Sequence, residues 1–116
     1  MEETYRVQPL NQAHGTYELA LTGRVYADLA PGLQEELLEL VDRGLRNLVV
    51  DARELEQIDS SGLNVFVHLL KRLRPLGGKI VFFGLNENIR RVFRITKLET
   101  VMGVVEERNE ALEGLA

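Results

Sequence analysis

The chain is predicted to be an α/β protein with a mixed sheet, element order β-β-α-β-α-β-α-β-α, and helices packed mainly on one face. Three observations predict this. Two short runs that alternate polar and apolar residues open the chain, the pattern of an antiparallel hairpin with one wetter face. Leu48-Val49-Val50 and Ile80-Val81-Phe82-Phe83 are apolar without alternation, as in strands buried on both sides and paired in parallel. Between them lie segments with apolar residues at helical spacing, and alternating strands and helices imply right-handed crossovers.

The elements follow in order. Residues 4–10 place Tyr5, Val7 and Pro9 on one side; Pro9 cannot donate a ladder bond, which suits an edge strand. Residues 11–15 read as a polar turn, and 16–25 as a second strand with Tyr17, Leu19 and Leu21 against Glu18, Ala20 and Thr22. A helix follows, capped by Asp28 or the residue before Pro31, because proline is tolerated only in a first turn. Leu33, Leu37, Leu40 and Val41 form its apolar face, Glu35, Glu36, Glu39 and Asp42 its solvated one, and Gly44 stops it. Residues 45–50 are the next strand; residues 51–59 read as a loop, packed down by Leu55 and Ile58.

The second helix is expected to start at Ser60 or Ser61. Leu63, Phe66, Val67, Leu70 and Leu73 are its core stripe, with Val65 and Leu69 as a second, surplus stripe. Either a neighbouring helix or a partner must cover that surplus. Pro75 and Gly77-Gly78 end the helix, and residues 79–84 form another central strand. Asn86 or Asn88 caps a third helix with Ile89, Val92 and Phe93 inward and Arg90, Arg94 and Lys97 outward, Arg91 alongside. Residues 100–105 are the last strand. Residues 106–115 form a short acidic helix with Ala111, Leu112 and Leu115 as its apolar side.

Composition narrows the function. At 116 residues, 45% hydrophobic and 28% charged, the chain reads as one globular domain over residues 1–116. A net charge of −4 argues against nucleic-acid binding. With no cysteine there are no disulfides, thiolate metal sites or cysteine nucleophiles, and His14 and His68 are not spaced as a ligand pair. Met1-Glu2-Glu3 is not a secretory start, and no apolar run approaches the ~18 residues of a membrane span. The expected location is the cytoplasm, with no membrane, metal or cofactor.

The chain is organised around Asp59-Ser60-Ser61-Gly62-Leu63, which lies where a loop enters the second helix. One reading is structural: Ser and Asp side chains are ordinary N-caps. The other is chemical: a hydroxyl at a helix N-terminus sits where phosphate is well received. No phosphate-gripping glycine loop and no G-x-S-x-G elbow exists. His68 lies two turns from Ser60 and reads as a partly buried helix residue, so an enzyme reading is weak. A phospho-switch needs less: an accessible hydroxyl, a rigid platform and a partner that senses charge.

Several segments together resemble the STAS domain, and more narrowly the stand-alone bacterial anti-sigma factor antagonists. They are Gly23-Arg24-Val25, Leu48-Val49-Val50-Asp51, Ile58-Asp59-Ser60-Ser61-Gly62-Leu63, Gly77-Gly78-Lys79, Ile89-Arg90-Arg91-Val92-Phe93 and Thr96-Lys97-Leu98. The D-S-S-G-L segment is the specific part. The resemblance implies a partner switch. The unphosphorylated antagonist binds an anti-sigma factor that is itself an ATP-using serine kinase, and so frees a sigma factor. The kinase phosphorylates the serine after the aspartate, here Ser60; a phosphatase resets it. On this reading the protein is a substrate and binder, not a catalyst, and a monomer or weak dimer. Asp59, Ser60, Ser61, Gly62, Val65, Leu69 and Tyr26 form the expected partner surface.

Two positions depart from the family pattern. Tyr26 stands where an acidic residue is frequent. Lys97 stands where glycine is common, so the third helix is expected to end differently. Two other readings compete. One is a STAS scaffold in a larger signalling assembly, which should self-assemble. The other is a receiver-like domain with Asp51 as phosphoacceptor; it lacks the acidic pair expected after the first strand, which here ends Gln8-Pro9-Leu10.

Overall fold

A computed structural model describes residues 4–11 and 14–115. The Met1-Glu2-Glu3 terminus, and Gln12 and Ala13 of the expected turn, lie outside the described residues. The strands are β1 (Thr4–Asn11), β2 (Thr16–Val25), β3 (Asn47–Ile58), β4 (Lys79–Phe83) and β5 (Gly103–Val105). The helices are α1 (Ala30–Asp42), α2 (Ser60–Leu73), α3 (Glu87–Ile95) and α4 (Arg108–Glu113). The strands form one sheet in the order β1-β2-β3-β4-β5, with β1 antiparallel to β2 and every other pair parallel. This is the expected element order, with the Pro9 strand at an edge.

The period-two alternation divides the core. Leu19 and Leu21 of β2, Leu48 and Val50 of β3, and Ile80 and Phe82 of β4 face α1, α2 and α3. Val49, Val81 and Phe83 face the other way, under Ala111 of α4. Three helices on one face and one short helix on the other fit the expected arrangement. Phe82 sits edge-on between Phe66 of α2 and Phe93 of α3, both ring centroids 4.9 Å away. That aromatic row pins α2 and α3 to β4. On the opposite face Glu18, only 8% exposed, accepts from Arg108 Nε at 2.9 Å and so fastens α4 to β2.

Several expectations are corrected. Residues 51–58 are not a loop: β3 runs on through them, paired with β2 up to Val25↔Ile58. β4 pairs only with residues 47–51 of β3. The rest of β3 therefore has no strand partner on that side and carries the exposed Arg53, Glu54, Glu56 and Gln57. β5 is shorter than residues 100–105 because a 3-10 turn takes Leu98–Thr100. The cap of α1 is Leu29, with no side-chain cap bond; it is neither Asp28 nor Ala30, the residue before Pro31, which is already the first helical residue. Lys97 adopts φ 63°, the left-handed conformation glycine would supply. The third helix thus ends as a glycine would end it, contrary to expectation, at a cost of ~1 kcal/mol. His68 is exposed, not partly buried.

Candidate functional site

The Ser60 region is built where four chain segments meet. β3 ends at Ile58, and Asp59 turns the chain into α2 with an extended backbone, φ −101° and ψ −174°. The Asp59 N–H donates to the Val25 carbonyl at 3.2 Å, tying the turn to the end of β2. Its Oδ1 accepts from the Gly62 N–H at 3.0 Å, and its carbonyl accepts from Leu63 N–H at 2.9 Å. Asp59 is therefore the N-cap, and Ser60 is the first helical residue, not the cap. Ser60 is exposed and Ser61 half-buried. The N–H groups of Ser60 and Ser61 have no carbonyl partner within the helix, as helix geometry requires.

Gly62 explains how closely this turn can sit. A Cβ there would lie 2.6 Å from the Val25 carbonyl oxygen and 2.6 Å from Ile58 Cγ1. Only glycine lets the first turn of α2 rest against the ends of β2 and β3. From α3, Asn86 Oδ1 accepts from Ile89 N–H at 2.9 Å while its Nδ2 donates to the carbonyls of Leu55 and Glu56. One side chain thus caps α3 and fastens it to β3. The capping role was legible in the sequence; the bonds to β3 had no sequence signal.

Tyr26 follows β2, and its hydroxyl donates to Gln57 Oε1, while the Arg24 guanidinium lies 5.9 Å from its ring. Tyr26, Gln57, Ile58 and Asp59 form one wall of an open cleft of about 440 Å³, and Asn88, Ile89 and Val92 of α3 form the other. The structure thus brings Tyr26, Asp59, Ser60 and Ser61 to one surface. It removes three other expected contact residues. Val65 and Leu69 are each 1% exposed, because α1 packs on α2 and both side chains join Leu33, Leu37 and Val41 in the core. The true buried stripe is Gly62, Val65, Phe66, Leu69, Leu70 and Leu73, with Leu63 and Val67 at its half-buried margin. Gly62 is buried as well, so its role is close packing rather than contact.

Ionisation is most perturbed away from this surface. Asp51 accepts from Arg53 Nε at 3.0 Å and from Arg53 Nη2 at 2.8 Å. That hydrogen bonding holds its carboxyl below the usual value, against an opposing push from partial burial. Among the described residues no group of His, Cys, Asp or Glu is placed to hold a metal ion. No described helix is long and apolar enough to cross a membrane. Chemically, the Ser60 surface offers an accessible hydroxyl on a rigid helix start, with open N–H donors and the positive helix end nearby.

A parallel-centred sheet with an antiparallel edge, three helices on one face and an exposed serine at the start of α2 describe a STAS domain. The chain belongs to that family, whose model matches residues 9–111. Its relatives there are anti-sigma factor antagonists. BtrV of Bordetella bronchiseptica, provisionally named as one, is 32% identical over 102 residues, covering 88% of each chain. The anti-sigma-B factor antagonist of Staphylococcus aureus is 32% identical over 90 residues, covering 78% of this chain and 83% of its own. These names are those of regulators, not of enzymes. The fold is shared with the phosphorylated form of the Bacillus cell fate determinant SpoIIAA, at a TM-score of 0.77 and 15% identity, with 95% of this chain and 97% of that one covered.

Proposed function

We propose that this protein is a cytoplasmic, single-domain anti-sigma factor antagonist whose unphosphorylated form binds an anti-sigma factor and frees a sigma factor. The anti-sigma factor is a serine kinase; its phosphorylation of Ser60 ends the complex, and a phosphatase restores it. The protein is then a substrate and not a catalyst. The observation that carries this reading is the division of labour at the start of α2. Asp59 does the capping, which leaves the exposed Ser60 hydroxyl free.

The rest of the site supports the same reading. A phosphate adds about −1.5 to −2 charges. The helix end and its open N–H groups tolerate that charge, while Asp59 beside it adds to the negative field. The result is a folded protein with an altered surface. Tyr26, Asp59, Ser60 and Ser61 form the partner face, together with the cleft between Tyr26 and α3. Tyr26, in place of the frequent acid, presents a ring held by Gln57 and selects a matching partner. That relatives carry the antagonist name, and that a protein of the same fold exists in a phosphorylated form, agree with this. Incubation with the cognate kinase and ATP, followed by peptide mapping, tests it: phosphate is expected on Ser60, and phosphate on Ser61 alone contradicts it.

A further inference from the structure

We propose that the exposed end of α3 is a docking surface for a second copy of this chain, and that it seats on the acidic face of that copy's α1. Ile95, in the last turn of α3, is 71% exposed. Arg91, Arg94 and Lys97 around it are all exposed. None of their side chains has a hydrogen bond or ion pair among the described residues, whereas Arg90 bonds Glu106. In a chain of net charge −4 this is a local cationic island around one large apolar side chain. Lys97 holds its charge there at φ 63°, where glycine would sit without strain. A strained backbone position given to a cation is a reason to look for what the cation meets.

The complementary surface lies on the same molecule. Glu35, Glu36 and Glu39 of α1 rim a shallow cleft of about 400 Å³, with half-buried Leu40 in its lining and Arg43 at one end. Gly32 lines the cleft, and the space where its Cβ would stand is open. The match is one of charge: cations surround Ile95, and the carboxylates of Glu35, Glu36 and Glu39 line a mostly polar cleft whose apolar part is Leu40, with Glu36 also accepting from the Tyr5 hydroxyl. The two faces cannot meet within one chain. α1 links β2 to β3 and α3 links β4 to β5, with α2 between them on the same side of the sheet. The contact is therefore head-to-tail between copies, a heterologous interface that can extend beyond the monomer or weak dimer the family resemblance implies; self-association is then common to an antagonist and a scaffold, and the loss of anti-sigma factor binding on Ser60 phosphorylation is what tells them apart. Opposite charges steer the encounter, and salt weakens it.

Sedimentation velocity on the full chain, over a wide concentration range and at low and high salt, tests this. At low salt the average mass is expected to rise above the 13.1 kDa of one chain as concentration increases. Near 1 M salt, where charges are screened beyond about 3 Å, it should return to that value. Ile95→Asp removes the apolar knob and Gly32→Arg fills the cleft; each alone is expected to be monomeric, with folding checked by thermal melts. An equimolar mixture should form pairs and nothing larger, because Ile95→Asp keeps an intact α1 face and Gly32→Arg an intact α3 face. A wild type that stays at one-chain mass, association that survives either variant, or a mixture that stays monomeric each overturns the proposal. A monomeric wild type whose Ile95→Asp variant loses anti-sigma factor binding would likewise overturn it, assigning the face to that partner.

Discussion

Replacing Ser60 by alanine should leave stability almost untouched, while replacing its neighbour Asp59 by alanine should lower it. Asp59 Oδ1 holds the Gly62 N–H at 3.0 Å, and the Asp59 backbone is bonded to both Val25 and Leu63. Truncating the side chain frees one donor at the start of α2, a loss of about 0.5–2 kcal/mol. Part of that loss is the favourable carboxylate at the positive helix end, worth about 0.3–1 kcal/mol. Ser60 is exposed and follows the cap. Alanine is also a good helix former, so Ser60→Ala should stay within about 0.5 kcal/mol of wild type. Urea unfolding of the three proteins reads both values directly. In partner titrations the order should differ: Ser60→Ala binds and resists release by the kinase, and Ser60→Asp binds weakly while remaining folded. A Ser60→Ala protein that loses as much stability as Asp59→Ala would refute the assignment of the cap. It would also remove the reason for treating the Ser60 hydroxyl as free.

Three further outcomes follow from the same contacts. Gly62→Ala should destabilise by about 1–3 kcal/mol despite alanine's better helix propensity, because the Val25 carbonyl is backbone and cannot swing away; a thermal melt at or above wild type would contradict this. Lys97→Gly should relieve the left-handed strain and raise stability by up to ~1 kcal/mol, less the extra freedom glycine gives the unfolded chain; denaturant midpoints decide, and a clear loss of stability would show that Lys97 makes contacts that outweigh its strain. Asp51 contributes a pH dependence. Its carboxyl is held below the usual value chiefly by the Arg53 hydrogen bond. Its stabilisation is complete above the unfolded value of about 3.9 and is lost as pH falls through the lower folded value. Asp51→Asn should flatten that acid limb, and an unchanged limb would show that the pair does not contribute.

Much of this architecture was legible in the residues. The unbroken apolar runs at Leu48-Val49-Val50 and Ile80-Val81-Phe82-Phe83 mark strands covered on both faces, and α4 covers the second face through Ala111. The outer half of β3 was not legible. Register shifts between Ala20 and Thr22, and again between Gly23 and Arg24, break the period of two. The lack of a β4 partner there also leaves polar residues where a central strand would be apolar. The face of α2 was misread for a related reason. Seven apolar residues over three turns allow two stripes, and only the position of α1 shows that Val65 and Leu69, rather than Leu63 and Val67, are fully buried. At the site, the D-S-S-G-L segment located the serine. Whether Asp59 or Ser60 caps the helix depends on a backbone angle at Asp59 that no residue pattern states.

The most direct test of the account is the affinity of the cognate anti-sigma factor for two forms of this protein, unphosphorylated and stoichiometrically phosphorylated on Ser60, measured by calorimetry on matched samples. Phosphate beside Asp59 places roughly two added negative charges on the partner face, so binding should be readily measured for the first form and lost, or weakened at least about tenfold (1.4 kcal/mol), for the second. Equal affinities for the two forms, with both folded by circular dichroism, would contradict the account.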